Sequence, residues 1–186
     1  MKRLLATAAL ASALAGCATG GATSAPAGAA AATAKSPYES EILAVVDRFL
    51  LAIGNHDDEA LDELLIVEGV SWIQTITPGN ERGVQPYTNA SMFDPDPDAD
   101  PFIERYWNPI VTTRAGFAHV WAPYEMRDNG EQVHCGFDGF NLVFLDGAWR
   151  IASITSTVEP EACAALLPAS PATMRPRDGW KETPNQ

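Results

Sequence analysis

Positive charge is scarce in this chain. Lysine and arginine together number 12 against 24 aspartates and glutamates, for a formal net charge of −12. So acidic a chain has no electrostatic pull on nucleic acid or anionic lipid, which excludes both as charge-driven partners. Histidine is scarcer: His56, His119 and His134 are dispersed, and no two share ligand spacing within a local motif, so neither a metal nor a cofactor is expected. The run Asp94-Pro95-Asp96-Pro97-Asp98-Ala99-Asp100-Pro101 invites a calcium reading, but Ala99 stands where such a loop needs glycine. Arg105 stands where it needs a closing acid. An acidic, proline-rich surface loop fits better. Cysteine is limited to Cys17, Cys135 and Cys163, and the apolar run Leu4 to Ala15 is too short to span a bilayer comfortably.

That run is preceded by Lys2 and Arg3 and followed by small residues, so residues 1–16 read as an export signal. Leu14-Ala15-Gly16-Cys17 resembles a bacterial lipoprotein lipobox, and Ala18 resembles the residue that follows the cysteine in proteins sorted to a Gram-negative outer membrane. The resemblance implies cleavage before Cys17, lipid on its thiol, stable anchoring by more than one acyl chain, and a domain facing the periplasm. The alternative is an ordinary secretory signal with an incidental cysteine. Cleavage would remove Lys2 and Arg3 and no acid, taking −12 to −14. Residues 17–36 would form the lipidated cysteine and a flexible Ala/Gly/Thr/Ser/Pro tether. With Cys17 acylated, Cys135 and Cys163 remain as an even pair in an oxidising compartment. A disulfide is expected; the alternative is two separate buried thiols.

From Phe117 to Val158 the chain reads as three antiparallel strands. Asn129-Gly130 and Asp146-Gly147 sit between extended apolar runs, and both pairs tolerate the positive φ of tight hairpin loops. Two-residue loops would set Glu125 opposite His134, Trp121 opposite Asp138, Phe144 opposite Trp149, and Asp138 opposite Thr155. One face would then carry His119, Trp121, His134, Asp138, Phe140 and Thr155. The other would carry Val120, Ala122, Tyr124, Cys135, Phe137, Val143 and Ile154. Pro123 lacks a ladder N–H, which makes it the expected place for a bulge.

Ahead of the meander, Ser36-Pro37-Tyr38-Glu39 has the form of a capping box, and Ile42, Val45, Val46, Phe49 and Ile53 follow helical spacing up to Gly54-Asn55. Asp57 or Asp58 is placed to cap a second helix burying Leu61, Leu64 and Leu65. Val70 to Thr77 alternates as a strand. Asp100-Pro101 is expected to start a short helix with Phe102, Ile103, Tyr106 and Trp107 inward, with another strand from Ile110. Residues 161–186 are a proline-rich tail, lying on the domain or loose in solvent.

Helices first, then a long meander, make an α+β domain over residues 37–160. Val120-Trp121-Ala122-Pro123-Tyr124-Glu125, His134-Cys135-Gly136-Phe137-Asp138-Gly139-Phe140 and Gly147-Ala148-Trp149-Arg150-Ile151 resemble a bacterial branch of the nuclear transport factor 2-like superfamily. The resemblance implies a cystatin-like fold, a cone-shaped curved antiparallel sheet wrapping N-terminal helices. It implies a cavity rather than one reaction, because the superfamily holds isomerase-, dehydratase- and cyclase-like enzymes alongside non-catalytic modules.

The expected function is therefore binding of a small apolar or amphipathic molecule. Its pocket would be lined by Trp72, Trp121, Tyr124, Phe140 and Thr155 around Asp138. An enzyme using Asp138 as general base with His134 assisting is the second reading. A non-catalytic envelope-complex or dimerisation module is the third. The apolar outer face suggests a homodimer.

Overall fold

The computed structural model describes residues 36–79, 83–93 and 100–181. The signal, Cys17, the tether and the Asp94-to-Ala99 segment lie outside the described residues.

Helix α1 (Glu39–Gly54) buries Ile42, Leu43, Val46, Phe49 and Leu50, the stripe that its apolar spacing requires. The capping box does not form. Helix α1 begins at Glu39, which leaves Ser36 ahead of the N-cap Tyr38; the Ser36 hydroxyl instead accepts from the Tyr38 N–H at 3.2 Å and from the Thr113 hydroxyl at 2.9 Å. Helix α2 (Asp58–Leu64) starts as read, with the Asp57 carboxylate accepting from the Ala60 N–H at 3.1 Å.

Seven strands then build one sheet: β1 (Val70–Thr75), β2 (Gln85–Thr88), β3 (Phe102–Tyr106), β4 (Ile110–Arg114), β5 (Phe117–Asp128), β6 (Glu131–Leu145) and β7 (Ala148–Val158). Their order is β2-β1-β7-β6-β5-β3, with β4 also paired to β5. The sheet is curved, open and mixed, because β1 runs parallel to β7. Its concave side holds the helices and the core, where Phe49 meets Phe140 edge to face at 5.9 Å.

Both hairpin loops are as read. Asn129 and Gly130 have φ of 48° and 77°, and Asp146 and Gly147 have 52° and 86°. The register beyond them is not. Arg127 pairs with Gln132 but Met126 pairs with His134, so the extra residue is Val133 and not Pro123. Likewise Leu142 pairs with Ile151 but Asn141 with Ser153, which makes Ala152 the extra residue on β7. Each bulge swaps the faces of everything farther from its turn.

The segment after Asp100 is a strand and not a helix. Phe102 to Tyr106 pairs along β5 from Asp128 to Tyr124, and this ladder satisfies its backbone at the sheet edge. Beyond β7, helix α3 (Cys163–Leu166) is tied to β6 by a disulfide between Cys135 and Cys163, with Cα atoms 5.0 Å apart. The described part of the tail lies on the domain. Arg175 exchanges backbone hydrogen bonds with Tyr106 at 2.7 and 2.8 Å, and its guanidinium pairs with Asp47 of α1.

Candidate functional site

The two bulges decide which side chains share the concave face. Ala122 pairs with Asp138, and Asp138 pairs with Ser156, so Asp138 points inward alongside Tyr124, Phe140 and Ile154. Trp121 pairs with Gly139, and Gly139 with Thr155, which sets Trp121 and Thr155 on the convex side; Trp72, paired with Thr155, joins them there. Of the expected pocket residues, Tyr124 and Phe140 therefore stay with Asp138, while Trp72, Trp121 and Thr155 do not. His119 is also on the convex side, bonded to Asn141 Oδ1 at 3.0 Å and stacked on Trp121 at 6.3 Å.

The expected pairing of His134 with Glu125 does not occur, because the Val133 bulge puts them on opposite faces. Glu125, only 2% exposed, faces Arg105 at 3.1 Å, Arg127 at 3.5 Å and Gln132 at 2.9 Å. His134 lies on the inner side, edge to face with Tyr124 at 5.7 Å, and burial pushes its pKa down. It is a neighbour of Tyr124 rather than a partner of Asp138.

Asp138 has a different partner, Glu104 of β3. Glu104 pairs with Met126 and so shares the inner face, where its carboxyl and that of Asp138 act on each other's ionisation. Asp138 is 2% exposed; its Oδ1 accepts from the Ser156 hydroxyl at 2.7 Å, and its Oδ2 has no hydrogen-bond partner among the described residues. Glu104 keeps some solvent exposure as a residue, but its carboxyl is surrounded by protein, and those surroundings govern its ionisation.

Burial raises Asp138 to about 6, with the Ser156 hydroxyl and the Glu104 carboxyl pulling the other way. Burial first, and then the Asp138 charge, raises Glu104 well above the usual carboxylate range. Two buried carboxyls that both shift upward compete for their last proton and titrate as a pair. No arginine or lysine contributes to the shift of either group. Such a pair can accept or donate one proton, or seat a group that bonds to both carboxyls.

Tyr124 completes the cluster. Its hydroxyl donates to the Thr157 carbonyl at 2.9 Å and receives a long contact of 3.4 Å from Ser156. Burial, then the Asp138 and Glu104 charges, raise its pKa and keep it neutral. No group of three His, Cys, Asp or Glu among the described residues converges as a metal site. Clefts bordered by Ile76, Pro78 and Glu161, and by Thr112, His119 and Asn141, lie on other parts of the surface.

Glu104 and Ser156 are the residues that sequence reasoning missed. In a strand, Phe102, Glu104 and Tyr106 share a face, so a carboxyl interleaved with aromatics was the available signal. The helical reading of that segment hid it.

No family model matches the chain, and neither does any curated protein. Solved structures do. A nuclear transport factor 2-like protein from Cytophaga hutchinsonii superposes with a TM-score of 0.51 at 16% identity, over 63% of this chain and 94% of that one. A protein of unknown function with a cystatin-like fold from Nostoc punctiforme gives 0.50 at 15% identity, over 66% and 92%. A protein of unknown function from Mycobacterium tuberculosis gives 0.51 at 15% identity, over 64% and 70%. At such identities the likeness speaks for fold alone. The domain has the cystatin-like fold of these nuclear transport factor 2-like structures.

Proposed function

We propose that this domain binds a small apolar or amphipathic molecule on the concave side of its sheet, with the Asp138–Glu104 pair as polar anchor. The observation that carries the reading is a buried carboxyl pair with no cationic partner in an otherwise apolar interior. Burying charge without a counter-ion costs stability, and a fold that needed only a core would place apolar side chains there. Perturbed carboxyls of this kind collect at functional sites. Entry would be from the Glu104 side, where exposure persists.

In this reading the protein is exported, lipid-anchored through Cys17 to the outer membrane, and presents the domain to the periplasm. The Leu14-to-Cys17 motif supports that placement.

A second reading, general acid–base catalysis by Asp138, is favoured by its raised pKa of about 6, close to what proton transfer at neutral pH requires. His134 has no bond to Asp138 to support an assisting role.

The test uses the mature chain with Cys17→Ser, which needs no detergent, titrated with the neutral fluorophore N-phenyl-1-naphthylamine. Saturable enhancement at one site, weakened when Ala122→Phe fills the space beside Asp138 in a variant that still melts cooperatively, is the expected result. Absence of saturable binding would overturn the reading.

A further inference from the structure

Within the concave site proposed above, and resting on that reading, we infer that the polar end of the ligand is a primary or secondary ammonium. It would sit between the carboxyls of Asp138 and Glu104. Three observations lead there. Ionised carboxyls offer only acceptors, and the buried Asp138 Oδ2 has no hydrogen-bond partner among the described residues. The Ser156 hydroxyl is already spent on Asp138 Oδ1 at 2.7 Å. The whole chain carries −12, which concentrates cations around it and repels anions.

Other headgroups fit less well. A carboxylate or phosphate would add charge to a site already negative. A hydroxyl has one proton to give and would leave the second carboxyl as it was. A quaternary ammonium has no N–H and bonds to neither. A divalent metal ion wants six or so oxygen ligands, and two carboxyls with one hydroxyl supply too few. An ammonium with two or more N–H groups satisfies both carboxyls through charge-assisted hydrogen bonds and replaces the charge of the proton it displaces.

The exchange balances. Starting from one carboxylic acid beside one carboxylate, the pair takes up an ammonium ion, forms two N–H···O bonds and releases one proton to solvent. Affinity for the amine should thus rise with pH, about tenfold per unit while the pair still holds its proton. It should level off above that range, and fall once the amine itself deprotonates. Around the pair, β5 presents Tyr124, which stays neutral, and β6 presents His134 farther along the strand. Strand β7 presents the hydroxyl of Ser156, and Glu159 beyond it acts on Tyr124. On β3, Tyr106 is bonded to Asp47 of α1, which also holds Arg175. None of these supplies a competing cation to the pair.

The experiment is calorimetric titration of the mature chain carrying Cys17→Ser with octylamine, octanol, octanoate and octyltrimethylammonium. It is run at several pH values in buffers of different ionisation enthalpy. Expected is one octylamine per chain, bound at least about tenfold more tightly than the other three, with about one proton released. Glu104→Gln should abolish the proton release and the preference for amine while leaving octanol binding in place. Asp138→Asn should do the same, and the pH dependence of the unsubstituted protein needs no variant.

Equal binding of octanol and octylamine, with no proton release, would overturn the cation while leaving the concave site standing. Several amines bound per chain, abolished by salt and indifferent to Glu104→Gln, would place them on the acidic surface and overturn it too. If none of the four binds and N-phenyl-1-naphthylamine does not bind either, the proposed site itself fails.

Discussion

Asp138 is held by one hydroxyl and one neighbouring acid in an apolar surround, and this combination has a measurable cost. Its folded pKa, raised from 3.8 to about 6, exceeds the value it takes in the unfolded chain. A carboxyl shifted upward binds its proton more tightly when folded, so its contribution is full below pH 4 or so and is lost as pH rises through about 6. Stability should therefore decline across that window, by up to about 3 kcal/mol for a shift of this size. Urea unfolding at a series of pH values measures it. Asp138→Asn should lessen the slope and raise stability at neutral pH, with buried Glu104 carrying the remainder; a slope unchanged by the substitution would show that Asp138 contributes none of it. Asp138 was legible in the sequence as an acid among aromatics. Glu104 was not, because it lies on a strand read as helix.

At the scale of elements, the bulge at Ala152 decides the site, and its support comes from side chains far off in sequence. Asn89, buried at the start of a 3₁₀ turn after β2, donates to the Ala152 carbonyl at 3.2 Å and to the Ile66 carbonyl at 2.8 Å. Its Oδ1 accepts from the Ser71 hydroxyl at 2.8 Å, and Ser71 Oγ accepts from the Ile154 N–H at 2.9 Å. Backbone groups displaced from the regular ladder thus find partners in β1 and the turn. Asn89→Ala should leave several of them unpaired in the interior and cost about 2–4 kcal/mol in chemical denaturation, while Asn89→Asp should recover only part of it. Loss of under about 0.5 kcal/mol would mean that water takes over the role. Turn pairs and apolar periodicity announce hairpins and helices because they are local. A bulge held by Asn89 across 63 residues has no local signature.

At the scale of the molecule, the convex face carries an exposed apolar stretch, with Arg114, Arg150 and the Glu125 cluster on the same face. Trp72, Trp121, Phe137, His119, Asn141, Val143 and Thr155 lie across it, with Ile110 and Phe117 at its margin 62% and 66% exposed and Trp72 45% exposed. Some of the expected outer residues, Val120, Ala122, Tyr124 and Ile154, are in the core instead. An apolar stretch remains all the same, since the bulges exchange one apolar set for another. A second copy of this chain is the partner proposed for it, because exposed apolar side chains gathered on one sheet face gain by being covered. Sedimentation of the mature chain with Cys17→Ser should show a dimer, and Trp72→Arg with Ile110→Lys should give a monomer of unchanged helix and strand content. A monomer without the substitutions would leave the face to another partner.

By itself the sequence determined where β1, β4 to β7 and helices α1 and α2 run, both two-residue hairpin turns, the cysteine pair and the family-like fold. These rest on short-range periodicity, positive-φ residue pairs and composition, all of which are written locally. Tertiary structure alone decided which way each strand faces. It turned Trp72, Trp121 and Thr155 outward and Tyr124 inward, made residues 102–106 an edge strand, and brought Glu104 to Asp138. The physical reason is the two-residue pleat: one inserted residue inverts a face, and only distant hydrogen-bond partners determine where that residue is inserted.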